Sequence, residues 1–375
     1  MQSKLPFHVL LKPVGTSCNL ACQYCYYPQP EKHKPVTINL DLLENFTRDY
    51  IQSQPVYAKE INFVWQGGEP LIAGIAFYEA AILFQKKYAP QGIAISNSLQ
   101  TNASLLNDEW CNFLKINNFI IGVSIDGTPE IHDRYRQTRG SKSHPAKGSY
   151  AAVYAGIKLL IKHKIDFNSL SVVHDGVADQ ALEIYDHLVE IGVQFIQFQP
   201  LMLEGSAKNT FCLSEHNWGK FLSGIYKHWL HKNHVGKIFI MNIEQGLAQY
   251  FTHISPNCVH ASQCGTNLTL ETKGQLYACD HLMDTKHYLG EYGHEPLSQF
   301  VNKSAAHDFG IQKSKRPECQ ICPVKMMCQG GCPAHLNLHN KNQLCGGYLE
   351  FFSLILDSVK SYTRDRSGFI KWSRR

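Results

Sequence analysis

Apolar runs and amphipathic stretches alternate along the first two-thirds of the chain. Runs rich in β-branched and aromatic residues predict strands over residues 8–12, 60–65, 93–99, 119–125, 167–173 and 195–199. Some, such as IIGVSI, are apolar at almost every position, which is typical of parallel strands buried on both faces. Apolar residues at helical spacing predict helices between them, over residues 40–51, 76–88, 105–115, 150–163 and 180–191. The alternation predicts an α/β fold, a TIM-like barrel or partial barrel of six parallel strands with helices outside.

The pattern changes after about residue 205. A long helix is predicted over residues 215–231, and short elements, turns and cysteines follow from residue 257. The stretch TNLTLETKGQLYACD (266–280) alternates and contains a Lys-Gly turn, which predicts a hairpin that delivers Cys279. We therefore expect two domains, the barrel over residues 1–235 and a cysteine-rich domain over residues 236–375.

Composition narrows the possible functions. The chain has 375 residues, 44% hydrophobic and 18% charged, with a net charge of +5 and no block of like charges. Neither nucleic acid nor a membrane surface is therefore an expected partner. The first residues lack the apolar core of a signal peptide, and no apolar run reaches the length of a membrane span. We expect a cytoplasmic protein, in which the 13 cysteines stay reduced and bind metal rather than form disulfides.

Polar motifs follow the predicted strands. CNLACQYC (18–25) follows the first strand, QGGEP (66–70) the second and QTN (100–102) the third, and SIDG (124–127) ends the fourth. A barrel of parallel strands builds its active site at the C-terminal ends of the strands. These motifs are therefore expected to share one site.

The three cysteines of the first motif are Cys18, Cys22 and Cys25. A structural zinc site uses four ligands and a disulfide uses two, so three thiols fit neither well. A [4Fe-4S] cluster held by three cysteinates leaves one iron open to a substrate, just as a catalytic zinc keeps one position free.

The CxxxCxxC pattern after the first strand resembles the radical S-adenosylmethionine (SAM) superfamily. The resemblance implies that the open iron binds SAM, and that SAM is cleaved to methionine and a 5′-deoxyadenosyl radical. Residues 67–70 match the GGEP motif that holds the SAM amino group, and two glycines let the backbone approach a ligand closely. Arg136 or Arg139 would pair with the SAM carboxylate. The implied cofactor contacts are Tyr24, Gln66, Gly67, Gly68, Glu69, Ser124 and Arg136.

Eight further cysteines lie in the C-terminal third, enough for two closed sites of four. Zinc ribbons are one interpretation. The arrangement also resembles the SPASM extension of radical SAM enzymes, which holds two auxiliary [4Fe-4S] clusters. That resemblance implies one ligand set of Cys258, Cys264, Cys279 and Cys332, and a second of Cys319, Cys322, Cys328 and Cys345. Cys111 is predicted to lie in the core, and Cys212 has no assigned role.

From about residue 7 to 352, stretches such as SNSLQTN, SIDGTPEIHDRYR and CQGGCPAH resemble anaerobic sulfatase-maturating enzymes. The resemblance implies oxidation of a cysteine or serine, within a Cys/Ser-x-Pro-x-Arg segment of a sulfatase, to Cα-formylglycine. It implies hydrogen abstraction from Cβ, with reduced flavodoxin or ferredoxin as electron donor. Asp280 matches the proposed base of the family, and burial would have to raise its pKa to make it a stronger base. A monomer is the expected state.

Two alternatives remain open at the level of sequence. Maturases that crosslink ribosomal peptides through thioether or carbon–carbon bonds share both cysteine regions. Many carry a recognition domain before the first cluster, and the first cysteine here is already residue 18. A non-catalytic zinc-binding protein is the second alternative, which iron and sulfide analysis would separate from both enzymes.

Overall fold

A computed structural model describes residues 2–27, 36–140, 145–202, 211–255, 257–311 and 313–362. The chain forms two compact units, each assembled from separate stretches. The first unit comprises Met1–Ile125, His132–Phe167 and Gly265–Phe309, and the second comprises Asp126–Ile131, Asn168–Cys264 and Gly310–Arg375. The predicted cysteine-rich domain runs to residue 375, and its last residues, 363–375, lie outside the described part of the chain.

Ten strands are present in the described residues. They are β1 (His8–Leu11), β2 (Glu60–Trp65), β3 (Ala94–Thr101), β4 (Phe119–Ser124), β5 (Phe167–Val173), β6 (Phe195–Pro200), β7 (Phe239–Ile240), β8 (Asn267–Leu270), β9 (Gln275–Tyr277) and β10 (Tyr288–Glu291). The six predicted strands are confirmed, and no strand end is shifted by more than two residues.

Thirteen α-helices accompany these strands in the described residues. They are α1 (Leu40–Ser53), α2 (Ile75–Tyr88), α3 (Asp108–Ile116), α4 (Pro129–Tyr135), α5 (Tyr150–His163), α6 (Ala181–Glu190), α7 (Glu215–His231), α8 (Met241–Thr252), α9 (Leu297–Val301), α10 (Ser304–Ile311), α11 (Pro317–Gln320), α12 (Lys325–Cys328) and α13 (Cys345–Tyr362). The helix predicted from residue 105 begins at Asp108, because the Asn107 side chain caps it by accepting from the Trp110 amide.

In the first unit, β1, β2, β3 and β4 pair in parallel in chain order. The predicted hairpin is formed by β8 and β9, and β8 pairs in parallel with the other side of β1. Leu11 is thus aligned with both Trp65 and Leu270. The strand pattern is buried as predicted, since Val9, Leu11 and Trp65 are fully covered. The hairpin that leads to Cys279 and Asp280 is therefore an extension of this sheet.

In the second unit, β5, β6 and β7 pair in parallel. Helices α7 and α13 pack so closely that a Cβ added to Gly347 would lie only 2.4 Å from the carbonyl oxygen of Glu215. After its first turn, α13 contributes the buried side chains of Phe351, Phe352 and Ile355 to the core. Within the part of the chain that the structure describes, no helix has the length and apolar character needed to cross a bilayer.

Candidate radical SAM site and cysteine clusters

The loop after β1 carries Cys18, Cys22 and Cys25. The Cys18 thiol accepts hydrogen bonds from the Leu20 amide at 3.3 Å and from the Asn102 side chain at 3.8 Å. Burial raises the pKa of Cys18 to about 11, and the neighbouring Cys22 thiol adds to this effect. Cys18 must therefore lose its proton when it binds a metal. N–H···S bonds and clustered thiols are the donor set that an iron–sulfur cluster requires.

The two glycines of the QGGEP motif fix this cysteine loop to the end of β2. The Gly68 amide donates to the Gly15 carbonyl and the Glu69 amide to the Ser17 carbonyl, both at 2.8 Å. A Cβ on Gly68 would lie only 2.0 Å from the Ser17 carbonyl oxygen. The close approach that the glycines permit in this structure is thus to the cysteine loop's own backbone. The backbone amide of Gln66 donates to the carbonyl oxygen of Leu11, the last residue of β1, at 3.0 Å.

Glu69 is fully buried and held by three donors. One carboxylate oxygen accepts from the Leu71 amide at 3.0 Å and the Thr101 hydroxyl at 2.7 Å, and the other accepts from the Asn102 amide at 2.7 Å. Burial raises the pKa of Glu69 to about 7, although these hydrogen bonds act in the opposite direction. These hydrogen bonds fix the orientation of the Glu69 side chain. They also connect the segment after β2 to the end of β3.

The structure distinguishes the two candidate arginines. Arg136 is buried, donates to the Tyr24 hydroxyl at 3.0 Å, and interacts electrostatically with Cys18 and Glu69. Arg139 is exposed and donates to the Cys18 carbonyl at 2.8 Å. Arg136 therefore lies among the other predicted site residues, whereas Arg139 binds the backbone of the cysteine loop.

Ser124 lies at the end of β4, the strand predicted to carry it into the site. Its hydroxyl accepts from the side chain of Gln100 at 3.0 Å. Gln100 belongs to β3, so this contact joins the polar ends of two neighbouring strands. The motifs after β1, β2 and β3, together with Ser124 at the end of β4, are therefore brought together in the first unit, as the strand order predicts.

Asp280 is joined to the other end of the cysteine loop. The ammonium of Lys12 forms an ion pair with one of its oxygens, and the Tyr26 hydroxyl donates to the other at 3.2 Å. Lys12 is fully buried, and its Nζ lies 4.0 Å from the centre of the Tyr27 ring. The sequence analysis missed Lys12, Tyr26 and Tyr27, although the two tyrosines directly follow Cys25.

The pKa of Asp280 is lowered rather than raised. Burial alone would raise the pKa of Asp280, but the ion pair with Lys12 and the Tyr26 hydrogen bond hold it below its usual value. The rise in pKa that would make Asp280 a stronger base than a free carboxylate is therefore not seen. Asp280 is an anion with a fixed orientation, and as an anion it has a site for an incoming proton.

In the second unit, four cysteines line a single cavity with Arg316 and Tyr348. These cysteines are the predicted set of Cys319, Cys322, Cys328 and Cys345. Burial raises the pKa of Cys328 to about 12. Four convergent thiols fit a closed four-cysteinate site, for iron–sulfur or for zinc.

Three of the other predicted ligands also lie together in the second unit. The Cys332 thiol interacts electrostatically with Cys258 and Cys264, and burial raises its pKa to about 12. Cys279, the fourth member of this predicted set, follows β9 in the first unit. Cys111 is fully buried on α3, as predicted, and Cys212 is partly exposed.

Comparisons with known proteins identify the family. The Radical SAM superfamily model matches residues 13–188. A serine-type anaerobic sulfatase-maturating enzyme of Klebsiella aerogenes is 51% identical over 99% of this chain and 90% of its own length. A cysteine-type enzyme of Clostridium novyi (strain NT) is 28% identical over 92% of this chain and 94% of its own.

Among solved structures, native anSMEcpe with bound AdoMet and the Cp18Cys peptide matches with a TM-score of 0.85 and 26% identity, covering 96% of this chain and 99% of that one. The α/β fold of the radical SAM type predicted from the sequence is thereby confirmed. The chain belongs to the radical SAM superfamily and, within it, to the anaerobic sulfatase-maturating enzymes.

Proposed function

We propose that this enzyme oxidises a serine in a Ser-x-Pro-x-Arg segment of a sulfatase to Cα-formylglycine under anaerobic conditions. The observation that carries the proposal is the position of Asp280, whose two carboxylate oxygens contact Lys12 and Tyr26. Tyr26 directly follows Cys25. Serine is favoured over cysteine because the serine-type relative is 51% identical to this chain and the cysteine-type relative 28%.

We assign the cofactor sites by residue. Cys18, Cys22 and Cys25 would hold the [4Fe-4S] cluster that binds SAM, with Tyr24, Glu69, Ser124 and Arg136 around SAM. The two auxiliary clusters would be held by one set of Cys258, Cys264, Cys279 and Cys332 and another of Cys319, Cys322, Cys328 and Cys345. When bound, these groups supply the radical that removes a hydrogen atom from Cβ and an acceptor for the electron that the substrate then releases.

The protein's own contribution is to take the proton and keep the carboxylate in place. A serine side chain becomes an aldehyde by losing one hydrogen atom, one proton and one electron. Asp280 accepts the hydroxyl proton, because it is an anion and a proton acceptor must be deprotonated. Lys12 and Tyr26 each bind one of its oxygens and so fix its orientation.

Further proposals follow from the same assignment. We propose a sulfatase polypeptide as the partner, reduced flavodoxin or ferredoxin as the electron donor, and a monomeric enzyme. We also propose a cytoplasmic location, because cysteines that bind iron–sulfur clusters must stay reduced. The domain boundary at residue 235 remains a prediction.

The function is tested with two peptides that differ only in the target residue, serine or cysteine, incubated anaerobically with SAM and dithionite. Mass spectrometry should detect an aldehyde, formed from the serine peptide by loss of two hydrogen atoms and trapped by a hydrazine. A crosslinked peptide that does not react with hydrazine would instead favour the peptide-maturase alternative. Modification of the cysteine peptide alone would contradict the serine assignment.

The role of Asp280 is tested by Asp280→Asn. We expect this variant to keep its clusters and to cleave SAM, but to lose about 10²–10⁴-fold in formylglycine formation, the usual contribution of a general base. Asp284→Asn, which changes a largely exposed carboxylate four residues away, is the matched control and should keep its activity. An undiminished formylglycine yield in Asp280→Asn would contradict the assignment of Asp280 as the base.

A further inference from the structure

Lys313 is a buried cation in the second unit, just after α10. Its residue is 1% exposed, and its Nζ donates to the carbonyl oxygens of Cys258 at 2.6 Å and Val259 at 2.7 Å. Across the residues that the structure describes, no carboxylate forms an ion pair with it. Its charge instead interacts with the thiols of Cys264, Cys258, Cys332 and Cys328.

The segment that carries Lys313 has little freedom to move. A Cβ on Gly310 would lie 2.1 Å from the carbonyl oxygen of Cys264 and 2.7 Å from its sulfur. Gly330 adopts a φ of +83°, and a Cβ there would lie 2.3 Å from the Lys313 carbonyl oxygen. Two close backbone contacts therefore hold Gly310 against Cys264 and Lys313 against Gly330, in the Cys328–Cys332 turn.

A buried ammonium is costly unless an opposite charge compensates it. Two carbonyl dipoles supply part of that compensation. Thiolates supply the rest once a cluster is bound, since each ligand is then deprotonated. The negative charge of a cluster increases by one on reduction, so a nearby fixed cation stabilises the reduced form more than the oxidised form.

We propose that Lys313 is a positioning residue whose charge raises the reduction potential of the auxiliary cluster held by Cys258, Cys264 and Cys332. This inference rests on the proposed function. One electron leaves the substrate radical, which becomes the aldehyde, and the auxiliary cluster is reduced by that one electron. A higher potential favours this transfer. Lys313 interacts most strongly with the thiols of Cys264, Cys258 and Cys332, which identifies the cluster that it affects.

The test is an EPR-monitored redox titration of enzyme in which Cys18, Cys22 and Cys25 are replaced by alanine, so that only auxiliary clusters are present. Lys313→Gln keeps a donor for the two carbonyl groups but removes the charge. We expect Lys313→Gln to lower the midpoint potential of one cluster by ~59 mV. For one electron, this shift corresponds to a tenfold change in the equilibrium constant. Lys315→Gln, at an exposed lysine two residues on, should leave both potentials unchanged.

Unchanged potentials in a fully loaded Lys313→Gln protein would overturn the inference and leave the proposed function intact. Absence of auxiliary iron and sulfide from the parent protein would instead overturn the cluster assignment on which the proposed function depends. If Lys313→Gln loads poorly, Lys313→Arg decides. A Lys313→Arg protein that binds its auxiliary clusters and keeps the parental midpoint potentials supports a role for the charge. A variant that fails to bind them, or whose cluster potential is lowered, contradicts that role.

Discussion

Lys12 shows how one buried charge fixes the state of the proposed base. It is fully buried after β1, paired with Asp280 and stacked over the Tyr27 ring. Without Lys12, burial would favour a protonated Asp280, which has no site for the substrate's proton. The ion pair thus explains how a carboxylate with little solvent contact stays ionised.

We therefore expect Lys12→Gln to uncouple the reaction. SAM cleavage should persist, while formylglycine formed per 5′-deoxyadenosine falls about tenfold or more. Breaking a buried ion pair should also cost about 3 kcal/mol of stability. Both products are measured by mass spectrometry in the same reaction, with Lys4→Gln, at an exposed lysine, as control. An unaltered product ratio would show that Lys12 has no part in the chemistry.

Glu244 on α8 is a half-buried residue outside the proposed site, and one of its carboxyl oxygens is fully covered. Its Oε1 accepts no hydrogen bond from the described residues, and burial raises the pKa of Glu244 to about 7. A carboxyl group whose pKa is raised in the folded state stabilises that state when the solution pH is below the group's ordinary pKa. That contribution is lost as the pH rises through the folded-state value of about 7.

Glu244→Gln mimics the neutral carboxyl at every pH. The variant should match the natural protein in thermal unfolding at about pH 5 and be more stable at about pH 8, by on the order of 2 kcal/mol. Differential scanning fluorimetry under argon at both pH values measures this difference. Equal destabilisation at both pH values would indicate a packing defect rather than relief of a buried charge.

At the scale of elements, local patterns predicted local structure. The strand over residues 60–65, the helices over 150–163 and 215–231 and the turn of the β8–β9 hairpin agree with the structure, because each depends on neighbouring residues. The two-residue strand β7 is too short to show a period, and α8 and α13 were not predicted. The pairing of β8 with β1 joins distant segments, and no local pattern specifies it.

The same limit applies to the site. Cysteine spacing is a local signal, so it identified the loop after β1 and the C-terminal clusters. The contact between Lys12 and Asp280 joins residues 268 positions apart, and its existence depends on the pairing of β8 with β1. Lys313 is likewise one of several lysines in its segment, and only the fold distinguishes it as the buried one.

The loop–loop contact between QGGEP and the cysteine motif is a property of two elements together. Gly68→Ala places a methyl group 2.0 Å from the Ser17 carbonyl oxygen, so the cysteine loop must shift. We expect loss of SAM cleavage and of about one-third of the iron, because the eight later cysteines still bind two clusters. Iron analysis and 5′-deoxyadenosine assay test this together.

Gly224→Ala on α7 is the matched control, because beyond the adjoining backbone of the helix itself no atom lies within 4 Å of the added Cβ. It should keep full iron and activity. Full iron and normal SAM cleavage in Gly68→Ala would mean that the cysteine loop does not depend on its contact with the QGGEP backbone.

At the scale of the whole molecule, each unit has its own part of the proposed chemistry. The first unit carries Cys18, Glu69, Arg136 and the Lys12–Asp280 pair. The second carries the four-cysteine cavity and Lys313. Hydrogen abstraction and proton acceptance thus depend on side chains of the first unit, while electron acceptance depends on most of the later cysteines.

The most direct test of this account follows the hydrogen atom itself. A Ser-x-Pro-x-Arg peptide dideuterated at the serine Cβ is incubated anaerobically with SAM, dithionite and the reconstituted enzyme. We predict one deuterium in 5′-deoxyadenosine for each formylglycine formed, and one deuterium retained on the aldehyde. Formylglycine that appears without deuterium in 5′-deoxyadenosine would contradict the central claim that a SAM-derived radical oxidises the serine at Cβ.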